Sequence, residues 1–139
     1  MAHTKANEEV PWKVPISLSA TGTRSFGGLP PTGEYEVKRI QVCNSATITG
    51  DNTNHWLISF NKGTIASPTA ITTLDLVTGV DLTANVPRNV SITAVTSALR
   101  RLATTDVLHV VCTKTSSPDA LACDVIFWVI PVRDHGNEV

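Results

Sequence analysis

One stretch constrains this chain more than any other: Leu121-Ala122-Cys123-Asp124-Val125-Ile126-Phe127-Trp128-Val129-Ile130-Pro131-Val132. It reads as a strand that is apolar on both faces. Side chains alternate along a strand, so Val125, Phe127 and Val129 point one way and Ile126, Trp128, Ile130 and Val132 the other. A strand with one wet face should instead alternate apolar and polar residues. Something must therefore cover the second face, either another layer of the same domain or another copy of the chain.

Composition narrows the fold further. The chain has 139 residues, enough for one domain with a sizeable core. Charged residues make up 17% of it, against a usual share of about 25%. Threonine fills part of the gap, at 19 positions. Branching at Cβ restricts a helical side chain but suits a pleated surface, so this composition favours strands. The net charge is −1, which leaves no basic excess to neutralise nucleic-acid phosphates and no polybasic run for a membrane surface. No apolar run reaches the ~20 residues that a membrane-spanning helix needs. Met1 to Glu9 is polar and lacks the apolar core of a secretory leader, so synthesis in a reducing cytoplasm is expected. Cys43, Cys112 and Cys123 are odd in number and irregularly spaced, a poor disulfide framework, and are expected to be structural thiols.

Along the chain, residues 1–13 show no periodicity and read as an N-terminal arm, one that could be deleted without loss of the fold. Trp12 stands on that arm between Pro11 and Pro15, and so much aromatic surface calls for a docking place, on its own domain or on a neighbour. Residues 14–133 form the body and 134–139 a polar tail. Val14–Ala20 alternates as an edge strand, and the glycines and prolines of Thr21–Gly33 mark a long loop. Glu34–Cys43 is a strand whose phase slips near Lys38-Arg39, the mark of a bulge. His55–Phe60, Ile71–Val77, Val80–Val86, Val90–Thr96 and Asp106–Thr113 read as further strands, Asn61–Gly63 as a turn and Ser97–Leu102 as one helical turn. About eight short strands without an amphipathic helix predict an all-β protein: an antiparallel two-sheet sandwich, jelly-roll-like, with an extended N-terminal arm. An immunoglobulin core would need a Cys…Trp…Cys order with the two cysteines bridged; the order Cys43, Trp56, Cys112 exists, but the expected reducing cytoplasm, the third cysteine and Val110 in place of a tyrosine two residues before Cys112 argue against it.

Chemical motifs do not rise above background. There is no Gly-x-Ser-x-Gly elbow. His109 and Cys112 are three apart and fall on opposite faces of a strand, so the histidine is badly placed to activate the thiol. His3, His55, His109 and His135 show no metal-ligand spacing, and Asp51–Asn54 lacks the glycine and glutamate of a calcium loop. The glycine-rich Gly22–Gly28 lacks the lysine and following helix of a phosphate loop. Asn89-Val90-Ser91 matches a glycosylation sequon by chance. Glu34 and Glu36 share a strand face with Lys38, the layout of a solvated surface. Asp124 is the odd carboxylate, either bridged across an interface or at a wet strand end. No catalytic residue, cofactor or metal is predicted.

Association is the function the residues suggest. Ile126, Trp128 and Ile130 are expected to form an oligomer interface, since soluble monomers seldom expose such a patch. Trp12, Arg24, Phe26 and Leu29, on the arm and the long loop, are the expected contacts to a neighbour. With its polar arm, its small β-rich body and the phrases Tyr35–Val42, Ile71–Leu76 and Thr104–Val111, the chain resembles the small jelly-roll head decoration (cement) proteins of tailed bacteriophages over most of residues 14–132. The resemblance implies a non-enzymatic homotrimer on the virion surface, made in the host cytoplasm and bridging subunits of the major capsid protein, without direct nucleic-acid or membrane contact. The alternative is a phage tail, baseplate or fibre module that binds host surface glycans.

Overall fold

The structure is a computed structural model, which describes residues 9–26 and 33–132. Nine strands follow one another: β1 (Val10–Leu18), β2 (Gly22–Ser25), β3 (Tyr35–Asn44), β4 (His55–Gly63), β5 (Pro68–Asp75), β6 (Arg88–Val90), β7 (Arg101–Leu102), β8 (His109–Thr115) and β9 (Leu121–Pro131). A single helical turn, α1 (Ser97–Arg100), sits between β6 and β7 and is capped by the Thr96 side chain, which accepts from the Leu99 N–H. The strands make two antiparallel sheets. The first has the order β1-β9-β3-β6, with β7 also pairing with β3; the second has the order β2-β8-β4-β5. The chain changes sheet from β1 to β2, β2 to β3, β3 to β4, β5 to β6, β7 to β8 and β8 to β9. With the two-residue β7 set aside, that is the eight-stranded order of a jelly roll, as predicted.

Alternation on the strands builds the core between the sheets. Val14 and Ile16 of β1, Val37, Ile40 and Val42 of β3 and Val125, Phe127 and Val129 of β9 face Trp56, Ile58 and Phe60 of β4 and Val110 and Cys112 of β8, all buried. Phe60 and Phe127 meet edge to face across the layers, with ring centroids 6.2 Å apart. Trp56 is wholly enclosed, and its indole N–H reaches the Asp119 carbonyl at 2.7 Å. The phase slip at Lys38-Arg39 is a register shift between β3 and β9 at Val37/Arg39. It keeps Val37 and Ile40 both inward although they are three residues apart. Gly50 donates its N–H to Asp81 at 2.6 Å, and a Cβ there would run into the carbonyls of Val77 and Val80.

Several expectations are corrected. Val10–Lys13, expected in the arm, belong to β1 and pair with β9. Residues of the arm therefore contribute to the sheet, and removing 1–13 would strip half of an edge strand. The long loop at 21–33 contains β2, which the facing residues His109–Cys112 of β8 hold in place. Asn61–Gly63 continues β4 instead of turning, since Thr69 and Pro68 extend the ladder beside it. Of Val80–Val86 only Leu82 bridges, to Ile48, and of Val90–Thr96 only Val90 is strand. Leu29 lies outside the described residues.

Candidate functional site

The second face of β9 is the outer surface of the first sheet. Position by position along β9, burial alternates between complete and partial, so Ile126, Trp128 and Ile130 are half-buried while Val125, Phe127 and Val129 are sealed. The half-burial has a source within the chain. On β3, the residues beyond the bulge that point outward are Arg39, Gln41 and Cys43, and Arg39 stands opposite Trp128 in the ladder. Its guanidinium lies 4.6 Å from the centre of the indole ring, a cation–π contact. The indole N–H donates to Gln41 Oε1 at 2.8 Å, and the Gln41 amide donates to Asn89 Oδ1 at 2.9 Å. Arg39 also pairs with Glu9, just before β1, at 2.8 Å. Trp128 is thus fixed in one orientation by a polar frame that leaves part of its ring uncovered.

Charges around this frame are paired. Lys13 and Asp124 approach to 3.8 Å with both side chains largely in solvent, so the odd carboxylate of β9 meets a partner on its own β1. Such an exposed pair contributes little to stability. Glu36 is not part of a solvated face as expected: its carboxylate accepts from Arg100 at 2.7 Å, with both side chains about one-fifth exposed. Arg100 also donates to the Val95 carbonyl, which ties the segment after β6 onto β3. Further along the same surface a shallow groove of about 430 Å³ runs past Pro15, Ser17, Arg24, Cys43 and Asp124.

The second predicted group behaves differently. Trp12 stacks on Phe26 with centroids 4.9 Å apart and planes at 7°, and Tyr35 leans on it at 4.9 Å. All three pack against the core, so Trp12 docks on its own domain. The structure gathers Trp12 and Phe26 against the core on the inner side of the first sheet, where Trp12 stands opposite Phe127, while Ile126 and Trp128 face outward. Arg24 is exposed on β2 and donates to the neighbouring Thr23 carbonyl. Sequence reasoning missed Arg39 and Gln41. Their odd parity beyond the phase slip, shared with Cys43, was the available signal.

The groups with chemical potential are enclosed or structural. Burial pushes the Cys112 thiol up to about 12. Burial, then the neighbouring Cys112, Asp124 and Cys43, do the same for Cys123. At these values neither thiol forms the nucleophilic thiolate near neutral pH. His109 is fully buried with Nδ1 at 2.9 Å from the Val107 carbonyl, and it lies on the opposite face of β8 from Cys112. Asp51 closes its own turn by accepting from the Thr53 and Asn54 N–H groups, which hold its carboxyl below the usual carboxylate range. Among the described residues, no group of three or more His, Cys, Asp or Glu side chains is placed to hold a metal ion, and no helix is long and apolar enough to cross a membrane.

No family model matches this chain, and no curated protein matches it. A solved structure of infectious bursal disease virus, Gx strain, contains a chain that aligns with 96% of this one at 11% identity, with a TM-score of 0.33. The alignment covers 34% of that chain, so the protein spans about a third of its length.

Proposed function

We propose that this protein is a non-enzymatic structural component of a virion, a head decoration protein that sits on the capsid surface as a homotrimer and bridges major capsid subunits. Ile126, Trp128 and Ile130 carry the contact between copies. The observation behind this reading is the outward face of β9. A central strand of a sheet presents a tryptophan held rigid by an indole hydrogen bond and a stacked arginine, between two isoleucines. Tryptophan and arginine are the residues most enriched where binding energy concentrates, and rigid placement lowers the ordering cost of association. The jelly roll is used by viral capsid and lectin domains alike, so fold alone does not choose between them. The glycan-binding alternative has less support: among the described residues the exposed large apolar side chains are Val10, Ile65, Val86 and Leu99, none of them aromatic, and the Trp128 ring is partly covered by Arg39.

Trp128→Asp tests this reading. An aspartate at position 128 lies beside Arg39 and can pair with it on the surface, so the fold is kept while the apolar contact between copies is lost. The variant is expected to lose the threefold contact, its sedimentation mass falling to about one third of the wild-type value with an unchanged circular dichroism spectrum. A variant of unchanged mass would sink the interface. A virion role requires the protein on purified particles, and antibody labelling that finds it only in soluble host fractions would end that part of the proposal.

A further inference from the structure

The two sheets have four edges, and they differ in how their unpaired backbone is treated. On β1 the prolines at 11 and 15 lack an N–H, so they must occupy positions whose backbone faces away from β9, and Lys13 lies between them at the same parity. Prolines and a lysine are the usual guards of an open edge. β2 has four residues and β6 three, too few to offer a long ladder. β5 has eight, and from Thr69 to Asp75 it contains neither proline nor lysine.

The backbone of β5 can be assigned residue by residue. The Leu76 N–H donates to the Trp56 carbonyl at 2.9 Å, in register with the Leu57–Asp75 pair. In an antiparallel ladder, residues alternate between pointing their backbone groups at the partner and away from it. Leu74 therefore faces β4, while the N–H and C=O groups of Thr73 and Asp75 face out of the sheet. Among the described residues, these groups have no hydrogen-bond partner, and both residues are exposed.

We propose that the β5 edge pairs with the β5 edge of a second copy of this chain, antiparallel and related by a two-fold axis at Leu74. In that register Thr73 lies opposite Asp75 of the second copy, and the outward groups of both residues are satisfied on both chains. The two sheets β2-β8-β4-β5 then join into one of eight strands. The side chains fit a second copy. Each Asp75 carboxylate meets a threonine hydroxyl, the two aspartates are offset instead of opposed, and each keeps His55 of its own chain at 3.5 Å. An isologous contact of this kind is self-completing, because one surface supplies both halves. The edge is separate from the outer face of the first sheet, so this pairing goes beyond the proposed trimer and would link one such assembly to another.

Thr73→Pro tests the pairing. It removes only an outward N–H and leaves the β4 ladder in place. The expected result is a folded variant whose sedimentation mass is roughly half that of the wild type, whereas Trp128→Asp acts on the other surface and leaves β5 pairing intact. The second measurement is amide hydrogen exchange on the wild-type chain, in which Thr73 and Asp75 are expected to slow as protein concentration rises. A folded Thr73→Pro protein of wild-type mass overturns the proposal. If that variant fails to fold, exchange at Thr73 and Asp75 that stays fast at every concentration overturns it instead.

Discussion

The two faces of β9 are nearly equal in apolar character and opposite in circumstance. Val125, Phe127 and Val129 are fully enclosed, and Ile126, Trp128 and Ile130 one residue away are half in solvent. The inner set meets a second sheet. The outer set meets only flat polar side chains from its own sheet, Arg39 over the indole and Gln41 at its N–H. Hydrophobicity along a strand therefore reports that two coverings are needed, and says nothing about which one the chain supplies itself.

The largest effect should come from the inner face. Phe127→Ala removes a ring packed edge to face on Phe60 in a sealed core, and such truncations cost about 3–5 kcal/mol, so chemical denaturation should show a large drop in midpoint. A loss under about 1 kcal/mol would mean that the two sheets are not packed as described. On the outer face, Trp128→Asp is expected to lower that midpoint far less than Phe127→Ala does while abolishing the threefold contact, which separates a packing role from a contact role.

The thiols sharpen the same contrast. Cys112 and Cys123 ionise at about 12 in the folded chain, above an ordinary value of 9.0. Their burial therefore favours the folded state fully below pH 9.0, and that contribution is lost as the pH rises from 9.0 towards 12. Stability measured across this window should fall less steeply in a Cys112→Ala, Cys123→Ala double variant than in the wild type. At pH 8, a thiol reagent is expected to label half-buried Cys43 on the outer side and to reach the two core cysteines only after unfolding. Equal labelling of all three in the native protein would contradict the assignment of faces.

Smaller effects belong to the frame around Trp128. Gln41→Leu leaves the indole N–H without its acceptor and is expected to cost about 1 kcal/mol. Asp124→Asn breaks an exposed pair with Lys13 and should stay within about 0.5 kcal/mol, a change that equilibrium denaturation would barely register.

The parts of the fold that were legible in the sequence are those with a strong local period. β9 and the bulge near Lys38-Arg39 needed only alternation and its interruption, whereas the helical turn expected over Ser97–Leu102 ends at Arg100 because Arg101 and Leu102 pair with β3 as β7. The illegible parts depend on distant partners. Gly22–Ser25 has no strand pattern of its own, and it is a strand because His109–Cys112 lie beside it. Trp12 looked like an arm residue because prolines flank it. Those prolines are what an edge strand tolerates, and Phe26 and Tyr35 supply the pocket that Trp12 fills. Of the candidate face, Ile126, Trp128 and Ile130 were readable from parity. The arginine and glutamine that half-cover them were not, because they lie on another strand whose register the bulge had shifted.

By itself the sequence determined an all-β chain, the direction in which each side chain of β9 points, and the lack of any spaced catalytic or metal motif, since these follow from residue type and a period of two. Only the tertiary structure decided which face of β9 is core, which strand ends are guarded and where Trp12 rests. Each of those depends on what a second strand, far away in the chain, places opposite the first.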